Sequence, residues 1–217
     1  MYEFDWSIII RYYPQLLMGV MVTLKVSVIS EVVALVLGLV FALLRMSPIA
    51  PLRWLAIGYI DFLRGIPVLV ILLWVYYGFS IIFDLNFSAL TAAVIGLGFS
   101  YSAYIAEIFR SGIQAIPVGQ REAARTLGLR RWQAMAYIVL PQAFRIVIPP
   151  IGNTVISMIK DSSLIAIIAV SDLMRTAMVL AGETYRPFEL YAAVAALYYA
   201  LTLIVARIVA LIERRVG

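Results

Sequence analysis

Residues 119–141, GQREAARTLGLRRWQAMAYIVLP, place four arginines, one glutamate and an alanine pair between long apolar stretches. The flanking sequence reads as membrane-spanning helix, so this polar island belongs in water at a membrane surface. Pro117 suits the first turn of a helix, Glu122 favours its N-terminal half, and Gly128 is placed to end it. The product is a helix of about three turns outside the lipid, with a second beginning near Arg131. Ala123 and Ala124 leave one face nearly bare, while Arg121, Glu122 and Arg125 put charge around its rim. That is the pattern of a helix that docks into a groove; a solvated amphipathic loop has the same composition.

Outward from the island, composition fixes the class. Hydrophobic residues make up 64% of the 217 and charged residues only 13%, about half the charge of a soluble domain. One transmembrane domain over residues 1–217 is expected, with the polar loop at about 115–141. The chain has no cysteine and no histidine, which removes disulfides, thiolate and imidazole metal ligands and the commonest general base. Neither catalytic nor metal-ligating residues are assigned. The net charge of +5 comes from arginines flanking apolar runs, which topology explains; no basic face interleaved with aromatics points to nucleic acid.

Five spans can be drawn. An aromatic start with Trp6, Tyr12 and Tyr13 reads as an interfacial helix, followed by a span over about 16–44 in which Thr23, Ser27 and Ser30 form a stripe facing other helices. Lys25 and Glu31 interrupt this span, and Lys25 is placed to snorkel. A second span covers about 54–83, and a third, rich in small residues, about 88–114. The fourth, after the island, is expected to kink at Pro149-Pro150 and to end at Lys160-Asp161. LIAIIAV, residues 164–170, is too short to cross, so about 162–181 is read as re-entrant or interfacial. A last span runs over about 190–212. With this count Arg45, Arg53, the island arginines, Arg214 and Arg215 share one side, which the positive-inside rule makes cytoplasmic, with the N-terminus outside.

One spacing is far more specific. Glu122-Ala123-Ala124, three residues, Gly128, nine residues, Ile138, one residue and Leu140-Pro141 resemble the EAA signature of inner-membrane permease subunits of bacterial ATP-binding-cassette importers. LRGIPVLV, YIAEIFRSGIQAIPVGQREAARTLG, LPQAFRIVIPPIGN and MIKDSSLIAIIAVSDL resemble the branch that imports polar amino acids. The resemblance implies the type I importer fold: an all-α membrane protein of five transmembrane helices, a cytoplasmic coupling helix and a short re-entrant or periplasmic helical segment. Gly119, Arg121, Glu122, Ala123, Ala124, Arg125 and Gly128 would then couple to a dimer of ATPase subunits. An external solute-binding protein would deliver substrate, and a second permease subunit, identical or paralogous, would complete the path through the bacterial cytoplasmic (inner) membrane. No phosphate-binding loop motif occurs in the chain, so ATP and magnesium are expected on the partner.

Ionisable groups inside a bilayer are costly and are functional candidates. Asp61 with Arg64 and Glu107 with Arg110 are each spaced i, i+3 and can form structural ion pairs. Asp61 and Glu107 also lie at similar depth, about 10–14 Å from the cytoplasmic ends of their spans. As an acidic pair they would suit an ammonium or a cationic side chain such as that of arginine. Arg64, or a broken fourth helix near Asn153, would take the carboxylate. Lys160 and Asp161 are candidates for an outer gate, or an ordinary interfacial pair. An intramembrane enzyme would need a nucleophile with its base or a carboxylate dyad, and an ion-driven transporter usually shows repeated halves; neither pattern occurs.

Overall fold

The computed structural model describes residues 2–216, which are helical apart from short connections. α1 (Ser7–Arg45) is followed by a bent pair, α2 (Ala50–Gly65) and α3 (Val68–Phe83), and then by α4 (Ala89–Gln114). The island supplies α5 (Val118–Thr126) and the start of α6 (Arg131–Ile168); α7 (Leu173–Thr184) and α8 (Pro187–Val216) complete the chain. Four of these helices are long and apolar enough to cross a membrane, and the bent pair makes a fifth crossing.

The separate interfacial helix expected at the N-terminus is continuous with α1, which carries Pro14 in its second turn. Continuing the helix forfeits the one hydrogen bond proline cannot donate, whereas ending it would strand several backbone groups near lipid. Residues before α1 instead tie to the start of α8: the Asp5 amide donates to Glu189 Oε1 at 2.9 Å, and the Tyr2 hydroxyl donates to Oε2 of the same carboxylate.

The break falls in the second span, not in the fourth. α2 and α3 meet at 105°, whereas α6 runs without interruption through Pro149 and Pro150. The reason is local. Ile66 precedes Pro67 and is held extended (φ −111°, ψ 135°), so helix cannot propagate from Gly65 into Val68. Pro67 then starts α3, its carbonyl accepting from the Val70 and Ile71 amides at 2.9 and 3.2 Å.

α1 and α4 form the centre of the bundle. A Cβ on Gly38 would lie 2.6 Å from Ile105 Cγ2 and one on Gly98 would lie 2.8 Å from Val33 Cγ1, so the small residues of both helices let them pack closely. The polar stripe turns inward as expected, with Thr23, Ser27 and Ser30 buried and Lys25 exposed. Residues 162–181 form no crossing helix, as expected. Ser162–Ile168 form a tight 3-10 turn ending α6, and Ile165 and Ile168 are fully buried against α1, α3 and α4. α7 then starts against Gly19 of α1: the Leu173 amide donates to Thr23 Oγ1 at 3.2 Å, and the Asp172 side chain caps the helix by accepting from the Arg175 amide at 2.8 Å.

Candidate functional site

Two regions carry the candidate residues: the island at one end of the bundle, and a polar string that runs across the helices α2, α4 and α6. The island folds as the sequence indicates. α5 follows Pro117 directly, the proline sitting at the cap rather than within the first turn, and ends at Gly128 with φ +79°. The Gly128 amide donates to the Arg125 carbonyl at 3.0 Å and the Leu129 amide to the Ala124 carbonyl at 3.1 Å, which is the Schellman stop that glycine permits. The alanine pair is split. Ala124 is fully buried against the bundle, whereas Gly119, Glu122, Ala123 and Thr126 are exposed on the far side. The outward face of α5 therefore carries 119, 122, 123 and 126, because a 100° step per residue cannot put adjacent alanines on one line. Arg121 belongs to the inner face. Its Nη2 donates to the Ile113 carbonyl at 2.8 Å and satisfies one of the orphan carbonyls ending α4. Arg125 is exposed beside it.

The charges within the spans divide differently from the sequence pairing. Glu107 is clamped by two guanidiniums: Arg110 donates through Nε and Nη2 at 2.9 and 2.7 Å, and Arg45, from the end of α1, forms an ion pair with the other carboxylate oxygen. Asp61 and Arg64 do not pair with each other. Asp61 is exposed on α2, and the Arg64 guanidinium lies 5.5 Å from the centre of the Tyr104 ring. Tyr104 and Tyr101 are 6.2 Å apart, and the Tyr101 hydroxyl donates to Asp161 Oδ2 at 2.8 Å. A continuous string, Arg64–Tyr104–Tyr101–Asp161, thus joins α2, α4 and α6 and has opposite charges at its ends. Lys160, next to Asp161, is exposed, as is Asn153. Lys160 and Asp161 form no ion pair among the described residues.

Sequence reasoning missed the two tyrosines, since nothing distinguishes them from interfacial aromatics until α4 faces both α2 and α6. It also passed over Glu31, which is 8% exposed in the middle of α1 and whose carboxylate oxygens have no hydrogen-bond partner among the described residues. Its isolation in an apolar span was the available signal.

Against known families, residues 34–217 match the model of the binding-protein-dependent transport system inner membrane component. The chain belongs to that family. It is 42% identical over 214 residues to the probable amino-acid ABC transporter permease protein YckA of Bacillus subtilis (strain 168), covering 99% of this chain and 94% of that protein. It is 36% identical to the glutamate/aspartate import permease protein GltK of Escherichia coli O6:H1, covering 99% of both, and 36% identical to the arginine transport system permease protein ArtQ of Bacillus subtilis (strain 168), covering 97% and 96%. A crystal structure of an amino acid ABC transporter with histidines superposes with a TM-score of 0.94 at 40% identity, covering 99% of this chain and 100% of that one. The inner membrane component fold, bent second span and all, is therefore that of a type I importer permease.

Proposed function

We propose that this chain is the membrane subunit of an ATP-driven importer of amino acids. The observation that carries the reading is the string from Arg64 to Asp161. Arg64 would take the α-carboxylate that every amino acid shares, and Asp161, at the other end of the two tyrosines, would meet the α-ammonium earlier along the path rather than at the same time. Recognition of the shared backbone charges is compatible with relatives named for glutamate and aspartate and for arginine at the same 36% identity. Asp61, exposed and outside any ion pair among the described residues, extends the site to a cationic side chain such as that of arginine. Glu107 would contribute structure, because its carboxylate is already neutralised by Arg45 and Arg110.

Asp61, Arg64, Asn153 and Lys160 are exposed on a single copy of the chain, and such groups do not face hydrocarbon. A second permease, identical or paralogous, would enclose them in a water-filled path, with Lys160 and Asp161 at its outer mouth. A solute-binding protein would deliver substrate there. The α5 face with Gly119, Glu122 and Ala123 would seat in an ATPase subunit, which would hold ATP and magnesium. The N-terminus would lie outside and the C-terminal Arg214 and Arg215 in the cytoplasm of a bacterial cell.

The test is uptake into proteoliposomes containing the permease with its operon's ATPase and binding protein, using labelled arginine, glutamate and glutamine in turn. Arg64→Gln should raise the apparent KM for every carried amino acid. Glu122→Lys should abolish ATPase association while leaving binding by the outer protein intact. Uptake in the absence of the ATPase, or an unchanged KM in Arg64→Gln, would overturn the reading.

A further inference from the structure

Beside α5, and separate from its outward face, Arg121, Arg125 and Arg131 line a cavity whose remaining walls are Ala134, Met135 and Val139. Arg121 and Arg125 belong to the motif that the family resemblance assigns to ATPase coupling, but the cavity they line lies off the outward face of α5. Its lining is two-sided, with three arginine side chains beside the apolar groups of Ala134, Met135 and Val139, and most of the lining surface is apolar. Among the described residues none of the three arginines forms an ion pair, and Arg121 Nε is buried without a hydrogen-bond acceptor, leaving an N–H donor unused. Glu122, the acid nearest in sequence, is exposed one residue round the helix from Arg121. The cavity is therefore lined by positive charge with an unused donor, and no acidic side chain among the described residues pairs with its arginines.

The geometry points to a binding site for the phosphate of an anionic phospholipid in the cytoplasmic leaflet, the arginines holding the headgroup and the apolar floor receiving the start of its acyl chains. Three observations favour lipid over an acidic groove on a protein partner. The cavity lies on the flank of α5 that faces the bundle, where Ala124 is buried, and not on the face exposed for docking. Its floor includes Val139, which packs with Ile113, Ile116 and Ala143 in an apolar cluster between α4 and the start of α6. Trp132 and Tyr137, 59% and 67% exposed with rings 6.3 Å apart, mark headgroup depth on the same helical segment. Basic pockets between helices at the cytoplasmic surface recognise anionic headgroups by charge and bidentate hydrogen bonding. A lipid held here would tie α5 to the leaflet and make transport depend on its anionic content.

The full chain, purified in detergent, is mixed with equal concentrations of dioleoylphosphatidylglycerol and dioleoylphosphatidylcholine, and bound lipid is counted by native mass spectrometry. The wild type should retain phosphatidylglycerol preferentially. Arg125→Gln/Arg131→Gln removes two arginines whose side chains make no hydrogen bond among the described residues, and should lower the preference about 25-fold, at about fivefold per arginine. Arg125→Lys/Arg131→Lys should keep most of it, and Arg215→Gln, outside the cavity, all of it. An unchanged preference in the double glutamine variant overturns the proposal. Displacement of phosphatidylglycerol by millimolar glycerol phosphate would show that the site reads a soluble phosphate and would overturn the lipid assignment. Loss of ATPase association in the double glutamine variant with lipid preference intact would assign the arginines to the protein partner instead.

Discussion

Replacing Glu107 by glutamine separates a structural role from a substrate-binding one. The change removes one negative charge from between two guanidiniums, with the Glu107, Arg45 and Arg110 side chains 15%, 23% and 25% exposed. Two unit charges about 4 Å apart are worth about 4 kcal/mol at an effective dielectric constant near 20, and desolvation offsets part of that. Truncating one partner of a buried pair typically costs about 3–5 kcal/mol; with this degree of exposure about 2–3 kcal/mol is reasonable. For a chain of this length that corresponds to a melting point lowered by about 4–12 °C, measurable by fluorescence-detected unfolding of the purified protein in detergent. Arg45→Gln should behave similarly. The double variant should fall short of the sum by about 1–2 kcal/mol, because each single change already breaks the α1–α4 contact. A melting point within about 1 °C of wild type for Glu107→Gln, accompanied by a changed substrate KM, would refute the clamp and return Glu107 to the transport path.

Gly19→Ala puts a methyl 2.8 Å from the Leu173 Cα, a backbone atom that cannot move aside by rotating a side chain. A loss of about 1–3 kcal/mol is expected, read as a lower melting point, whereas Gly58→Ala, with open space around it, should be neutral or slightly stabilising. Tyr101→Phe removes the donor to Asp161 while keeping the ring; it should leave the melting point within about 1–2 °C and change transport KM, with Asp161→Asn giving a similar shift. Pro67→Ala restores an amide at the α2–α3 corner and removes the ring that drives Ile66 extended, so the corner should relax toward continuous helix; a bend that persists unchanged would show that packing rather than the proline makes it.

Much of the architecture was legible because the bilayer enforces it. Apolar length gave the spans, and Pro117 and Gly128 bracketed α5 to within a residue. What was illegible depends on neighbours. Pro149-Pro150 looks like the break and is not, while Ile66-Pro67 makes one because a residue before proline is driven extended and a glycine precedes it. Glu107 seemed to belong to Arg110 alone; Arg45 joins them only because α1 and α4 lie side by side, from 62 positions away in the sequence. Tyr101 and Tyr104 acquire meaning only when α2 and α6 are brought to opposite flanks of α4. Ala123 and Ala124 formed one face on paper, and the helical step separates them.

The bond from Arg121 to the Ile113 carbonyl, small in itself, makes α4 and α5 one mechanical piece. The same α4 bears Tyr101 and Tyr104, about 18 and 14 Å from Ile113 along the axis at about 1.5 Å per residue. On the proposed reading, a push on the outer face of α5 would be passed along α4 toward the tyrosines, handle and jaws sharing one shaft, and movement of the island would be accompanied by movement of the polar string.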